Sequence, residues 1–298
     1  MQRYNSLNTY LKNRFGTKVY KLAVSGDFTC PNRDGKCGVG GCVFCSGGSG
    51  DFAAKGQTLH EQLETAKALI ASKVNADAKY ICYFQSYTNT YGTVEKLRET
   101  FLPVLEEKDI VAISIGTRPD CLEDDKIEFL SELNKQIPVI VELGLQTSNE
   151  QTAELINRCY KNDCFVSAVK RLKDANIEVV THIILGLCGE TKEDMLSSVE
   201  FACSQNIDGI KLQLLHVLKG TRLAEMNCKT LTMDEYFDIL GACIEIIPPQ
   251  VVLHRITGDG NKKELIAPLW SADKHNVLNK LNKFLDEHNV VQGSKRRK

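Results

Sequence analysis

Residues 178–215 read EVVTHIILGLCGETKEDMLSSVEFACSQNIDGIKLQLL. Glu178–Leu185 is a short apolar run of strand length, and Gly209–Leu215 is a second. Between them Lys192–Gln205 has helical periodicity, and Thr191 followed by Asp194 is a helix-start signal. Strand, helix and strand in that order make the unit of a parallel sheet with a right-handed crossover.

The unit repeats outward in both directions. Further strands are expected at Lys18–Val24, Lys79–Phe84, Ile110–Ile115, Pro138–Leu143 and Val251–Ile256. Leu59–Val74 places Leu59, Leu63, Ala66, Leu69 and Ile70 on one helical face, with Thr58 as its start. Glu95–Glu107, Asp124–Lys135, Glu150–Ala175 and Met233–Ile246, the last opened by Thr232, also read as helices. An α/β fold follows, a barrel or an open part of one, with its chemistry at the C-terminal ends of the strands. Ser271–His288 reads as one more helix packed across the barrel. Residues 1–292 read as a single domain, and 293–298, Gly-Ser-Lys-Arg-Arg-Lys, as a disordered basic tail.

Lys and Arg total 37 against 38 Asp and Glu, so no strong overall field draws the chain onto nucleic acid. No apolar run approaches the roughly 20 residues that span a bilayer, and the N-terminus lacks a signal-peptide core. A cytoplasmic location is expected, and with it reduced thiols, although the chain has 12 cysteines. Nine of these (Cys37, Cys82, Cys121, Cys159, Cys164, Cys188, Cys203, Cys228 and Cys243) have no paired spacing and read mostly as small hydrophobes.

The remaining three lie in a glycine-rich loop after the first strand, Cys30-Pro-Asn-Arg-Asp-Gly-Lys-Cys37-Gly-Val-Gly-Gly-Cys42-Val-Phe-Cys45. Cys42 and Cys45 alone fit either a redox pair or a metal site. With no second C-x-x-C and no histidine pair, a closed zinc site is poorly supported. Three thiolates from one loop suit a [4Fe-4S] cube with one iron left open. Glycines 38, 40, 41, 47, 48 and 50 would let the backbone wrap a large cluster, and Phe44 would shield it. A zinc knuckle or a chance cysteine-rich loop is the competing reading.

The chain resembles the radical S-adenosylmethionine (SAM) enzymes, and more narrowly the YhcC/YtqA-type bacterial family related to the radical-SAM half of the Elongator catalytic subunit. The likeness runs through Arg3-Tyr-Asn-Ser6, Thr29-Cys-Pro-Asn-Arg-Asp-Gly35, Gly41-Cys-Val-Phe-Cys45 and Phe84-Gln-Ser-Tyr-Thr-Asn-Thr90. It continues in Gly116-Thr-Arg-Pro-Asp120, Val141-Glu-Leu-Gly-Leu-Gln146 and Arg255-Ile-Thr-Gly-Asp259. The superfamily's usual C-x-x-x-C-x-x-C is replaced by the longer spacing of this subfamily.

The resemblance implies a partial (β/α)6 TIM-like radical SAM barrel with a C-terminal helical extension. It assigns the cluster to Cys30, Cys42 and Cys45, leaving Cys37 extra. For SAM it implies Arg158 at the carboxylate, Gln146 at the ribose, and His182 nearby. Gln85 and Ser86 stand where the superfamily has the Gly-Gly-Glu that holds the SAM amine, and Glu142 points into the barrel near SAM or else pairs with a core cation. Tyr87, Asn89 and Tyr91 would line the substrate mouth. A one-electron reductant such as flavodoxin or ferredoxin is implied, with production of a 5′-deoxyadenosyl radical.

The Elongator relationship implies a tRNA substrate, with conversion of carboxymethylaminomethyluridine at the wobble position to aminomethyluridine. Arg255 would then hold the side chain's carboxylate. Lys161, Lys170, Arg171, Lys173, Arg255, Lys262, Lys263 and Lys295–Lys298 are candidates for an RNA approach surface. A small-molecule substrate, such as a porphyrin or peptide-derived metabolite, and a non-catalytic iron–sulfur or zinc module are the competing readings.

Overall fold

The computed structural model describes residues 3–46, 53–54, 56–75, 77–258 and 262–296. Gly47, Gly48, Gly50, Asp259, Arg297 and Lys298, all singled out above, lie outside the described residues.

All the expected strands form. They are β1 (Val19–Val24), β2 (Lys79–Phe84), β3 (Ile110–Thr117), β4 (Val139–Gln146), β5 (Glu178–Leu185) and β6 (Gly209–Leu214). After the short β7 (Val217–Leu218) comes β8 (Val252–Arg255). These strands, β7 apart, form one parallel sheet in the order β1-β2-β3-β4-β5-β6-β8, with β1 and β8 at opposite edges. The sheet is an open, partial barrel. On a flat sheet β1 and β4 would stand roughly 14 Å apart, yet Lys21 on β1 touches Glu142 on β4 at 2.5 Å.

The outer helices are α2 (Leu59–Ile70), α3 (Val94–Phe101), α4 (Asp124–Asn134), α5 (Glu150–Leu155), α6 (Asn162–Asp174), α7 (Lys192–Ser204) and α9 (Met233–Ile246). The three expected starts are complete capping boxes: Thr58 with Glu61, Thr191 with Asp194, and Thr232 with Glu235. The helix expected over Glu150–Ala175 is instead two, because Asn157 and Cys159 adopt left-handed backbone (φ 57° and 64°) that no helix accommodates. The final helix is α10 (Lys274–Glu287).

Elements too short or polar for the periodicity reading are α1 (Leu7–Phe15), α8 (Arg222–Glu225) and β9 (Leu265–Ala267), which pairs antiparallel with β7. Helix α1 plugs the barrel's lower end, where Leu11 packs with Val19, Ile81, Ala112, Ile140 and Val180, one residue from each of five strands. Among the described residues no helix is long and apolar enough to cross a membrane.

Two expectations are corrected. The tail is tied down over residues 293–296: Gly293 N–H donates to the Ile244 carbonyl and Lys295 N–H to that of Glu245. Cys188 and Cys228, expected as reduced thiols, form a disulfide. They flank one apolar cluster containing Leu187 and Leu223, which brings their Cα atoms to 5.3 Å.

Candidate active site

The period of two along each strand stacks the barrel interior in layers. Val19, Ile81, Ala112, Ile140 and Val180 make the apolar floor. Two residues further along the same strands stand Lys21, Tyr83, Ser114, Glu142 and His182, joined by Lys211 of β6. Above these come Gln85, Gly116, Gly144, Ile184 and Gln213, which line a cavity of about 360 Å³ open toward the C-terminal ends of the strands.

Cys30, Cys42 and Cys45 lie on this cavity's wall, whereas Cys37 is exposed and outside it. The loop that carries them is clamped against the connection after α5. Val43 N–H donates to the Ile156 carbonyl (3.1 Å), Asn157 Nδ2 to Gly41 O (2.8 Å) and Asn32 Nδ2 to Asn157 O (2.5 Å). Gly38 is required there, since a Cβ would sit 2.1 Å from Asn32 Oδ1; Gly41 is required by its φ of +81°.

All three thiols are free, and two receive donors: Asn32 Nδ2 lies 3.6 Å from Cys42 Sγ, and Arg33 Nη2 lies 3.6 Å from Cys45 Sγ. Burial, with Cys45 second, pushes the Cys42 thiol up to about 12, so only a bound metal would make it a thiolate. Among the described residues no three ligand side chains converge on a point fit for one ion. A four-iron cube places each thiolate on a separate iron, which suits three free thiols, two of them with N–H donors, on one cavity wall.

The middle layer centres on Glu142, which is 1% exposed. It accepts from Lys21 Nζ (2.5 Å), Ser114 Oγ (2.7 Å), His182 Nε2 (2.8 Å) and Lys211 Nζ. Its carboxyl is held well below the usual range by Lys21, Lys211 and His182, which outweigh the burial opposing them. Burial first, then Lys211, lowers His182 to about 4. The neutral ring therefore donates through Nε2, because a carboxylate only accepts. Glu142 thus lines the cavity while paired with two core cations, Lys21 and Lys211.

The other expected residues divide. Phe44, Gln85, Gln146, His182, Tyr87 and Arg255 line the cavity. Gln146 follows a break in the β4–β5 register after Gly144 and has φ 63°. Tyr87 also sits in left-handed backbone (φ 60°), with Arg33 over its ring at 5.7 Å. Ser86, Asn89 and Tyr91 are not on the cavity wall. Asn89 is a staple instead, its Nδ2 donating to the carbonyls of Phe84 (3.1 Å) and Gly116 (2.8 Å).

Arg158 does not reach the cavity either. Fully buried, it donates to the carbonyls of Tyr160, Leu145 and Thr147, to Glu150 Oε2 and to Asn162 Oδ1. The left-handed residues on either side of it turn its guanidinium back under β4. A cation that does line the wall is Arg118, after β3, bidentate with Asp120 (2.9 and 2.7 Å) and 4.8 Å from the Tyr160 ring centre. Arg118, Tyr160, Lys21, Ser114 and Lys211 were not anticipated. The signals were present, since Arg118 lies in Gly116-Thr-Arg-Pro-Asp120 and each lysine interrupts an apolar strand.

With the geometry in view, the comparisons are specific. The profile of the radical SAM superfamily matches residues 34–202, and that of the radical SAM C-terminal domain matches 207–287. An uncharacterized protein of Bacillus subtilis, YtqA, is 45% identical, covering 98% of this chain and 92% of its own. The tRNA uridine(34) acetyltransferase of Methanocaldococcus jannaschii is 26% identical over 66% of this chain and 36% of its own length. Among solved structures, Elp3 of Methanocaldococcus infernus superposes with a TM-score of 0.70 over 92% of this chain and 64% of that one, at 19% identity, a likeness of fold. An open parallel barrel with three free cysteines on its C-terminal wall, matched over more than half its length by the superfamily profile, belongs to the radical SAM superfamily, alongside YtqA.

Proposed function

We propose that the chain holds a [4Fe-4S] cluster through Cys30, Cys42 and Cys45, binds SAM beside it, and acts on the wobble uridine of tRNA. There it would convert a carboxymethylaminomethyl side chain to aminomethyl. The observation that carries the cofactor part is the shared wall: the three free thiols, Phe44, Gln85, Gln146 and Arg118 all face one cavity. Support for the substrate is the similarity to a tRNA uridine(34)-modifying protein.

Cluster and SAM together, given an electron by a flavodoxin- or ferredoxin-like reductant, would supply a hydrogen-abstracting carbon radical. The chain's own part is placement and exclusion of water. The asparagine and arginine donors to sulfur orient the cluster loop, the small Gly116 and Gly144 leave room on the wall, and the apolar floor with α1 closes the barrel below. Tyr87, exposed at the mouth, would stack on a base turned out of the anticodon loop.

The test is incubation of anaerobically reconstituted, reduced enzyme with SAM and tRNA bearing carboxymethylaminomethyluridine, followed by nucleoside mass spectrometry. The expected result is loss of the carboxymethyl mass with stoichiometric 5′-deoxyadenosine. Untouched tRNA alongside normal SAM cleavage would contradict the tRNA reading and favour a small-molecule substrate.

A further inference from the structure

The middle layer has two lysines and one carboxylate, and their hydrogen bonds are unequally filled. A carboxylate offers about four lone-pair sites. Glu142 has filled four, with Lys21, Ser114, His182 and Lys211, and has none left for an incoming ammonium. Lys211 is the reverse case. Of its three N–H donors, among the described residues one goes to Glu142 and one to Tyr83 Oη at 3.1 Å. Its counter-charge is shared with Lys21.

Lys211 is buried, lines the cavity, and has Arg255 of β8 as its cross-strand partner on the same wall. Burial also lowers it to about 7, as expected for an ammonium short of anionic company. Of the cations across the cavity, Arg118 pairs with Asp120 and Arg33 donates to the Cys45 carbonyl.

We propose that Lys211, with Arg255 beside it, is an anchoring site for a carboxylate carried on the substrate. The site lies one layer below Gln85, Gly116 and Gln213. A phosphodiester, held between two sugars, cannot descend that far, but a terminal carboxylate on a base substituent can. The identity of that substituent as carboxymethylaminomethyl rests on the tRNA reading above; the carboxylate site does not.

Two measurements test this. In the first, the Cε resonance of Lys211 is titrated by NMR in 13C-lysine-labelled wild-type protein with N-methylglycine, with dimethylamine as the control lacking the carboxylate. N-methylglycine should raise the Lys211 midpoint by about 1–3 units, and dimethylamine should leave it in place. No movement, or equal movement with both, overturns the proposal.

In the second, Lys211→Gln should raise KM for tRNA bearing the carboxymethyl group by roughly 10- to 100-fold. Lys211→Arg should recover most of that loss, and a variant series without such recovery counts against anchoring by charge. If wild-type enzyme leaves tRNA untouched but Lys211 responds to N-methylglycine, the tRNA reading falls and the carboxylate site stands. If tRNA is processed but Lys211 does not respond, the carboxylate site falls and the tRNA reading stands.

Discussion

Two layers of the barrel, one rung apart on the same strands, do different work. Val19, Ile81, Ala112, Ile140 and Val180 pack under α1 as a dry floor, while Lys21, Tyr83, Ser114, Glu142 and His182 above them, with Lys211, form a hydrogen-bonded ring of charge. Backbone, strand direction and facing are shared, so the contrast comes from side chains alone. A strand's period of two lets one element build core and site in alternate inward positions. The floor also makes the ring affordable, since charges can be buried only where partners are fixed.

The contrast is tested most severely by Glu142→Gln, which leaves Lys21 and Lys211 facing an amide. Breaking a buried charge network this way should cost about 3–5 kcal/mol. Chemical denaturation would measure the loss, and one below about 1 kcal/mol would mean that the ring is hydrated and not a buried network. Next comes Ile140→Ala in the floor, expected to cost about 2–5 kcal/mol with SAM affinity unchanged. A matching fall in SAM affinity would show that floor and site are one mechanical unit.

Two guanidiniums extend the comparison to the rim. Arg118→Ala should weaken SAM binding by about 1.5–3 kcal/mol, whereas Arg158→Ala should lower stability and spare SAM affinity. Isothermal titration of folded variants distinguishes them, and the opposite pattern would reinstate Arg158 as the ligand contact.

Lys211 gives a pH signature. Its folded value, about 7, lies below the ordinary lysine value of 10.5. Between those limits the unfolded chain binds the proton that the folded chain has released. Stability should therefore rise as pH rises through the window, with the cost fully present below it. Lys211→Met should flatten that slope, and a slope unchanged in the variant would place its origin elsewhere. The smallest effect is expected at Tyr91, off the cavity wall, where Tyr91→Ala should change stability by less than about 0.5 kcal/mol.

Much of this architecture is legible in the sequence because it is local. Apolar runs mark every strand of the main sheet, and the capping boxes at Thr58, Thr191 and Thr232 mark helix starts within a few residues. What escapes is non-local. Lys21 or Lys211 alone in its strand looks like an outward-facing charge; only the register between strands puts both beside Glu142. Arg158, twelve residues after Gln146, has a persuasive spacing, yet the positive φ values at Asn157 and Cys159 turn its side chain away. The resemblance, and not spacing alone, singles out cysteines 30, 42 and 45 and leaves Cys37 extra; the first three line the cavity and Cys37 is exposed.

The central claim, that the upper barrel houses a three-cysteine cluster with an open iron, is tested most directly by anaerobic reconstitution followed by iron and sulfide analysis and by EPR of the reduced protein with and without SAM. The account predicts about four irons and four sulfides per chain and a spectrum altered by SAM. It also predicts loss of both in Cys30→Ala, Cys42→Ala or Cys45→Ala, with both retained in Cys37→Ala. A cluster that survives Cys42→Ala, or vanishes in Cys37→Ala, would contradict it.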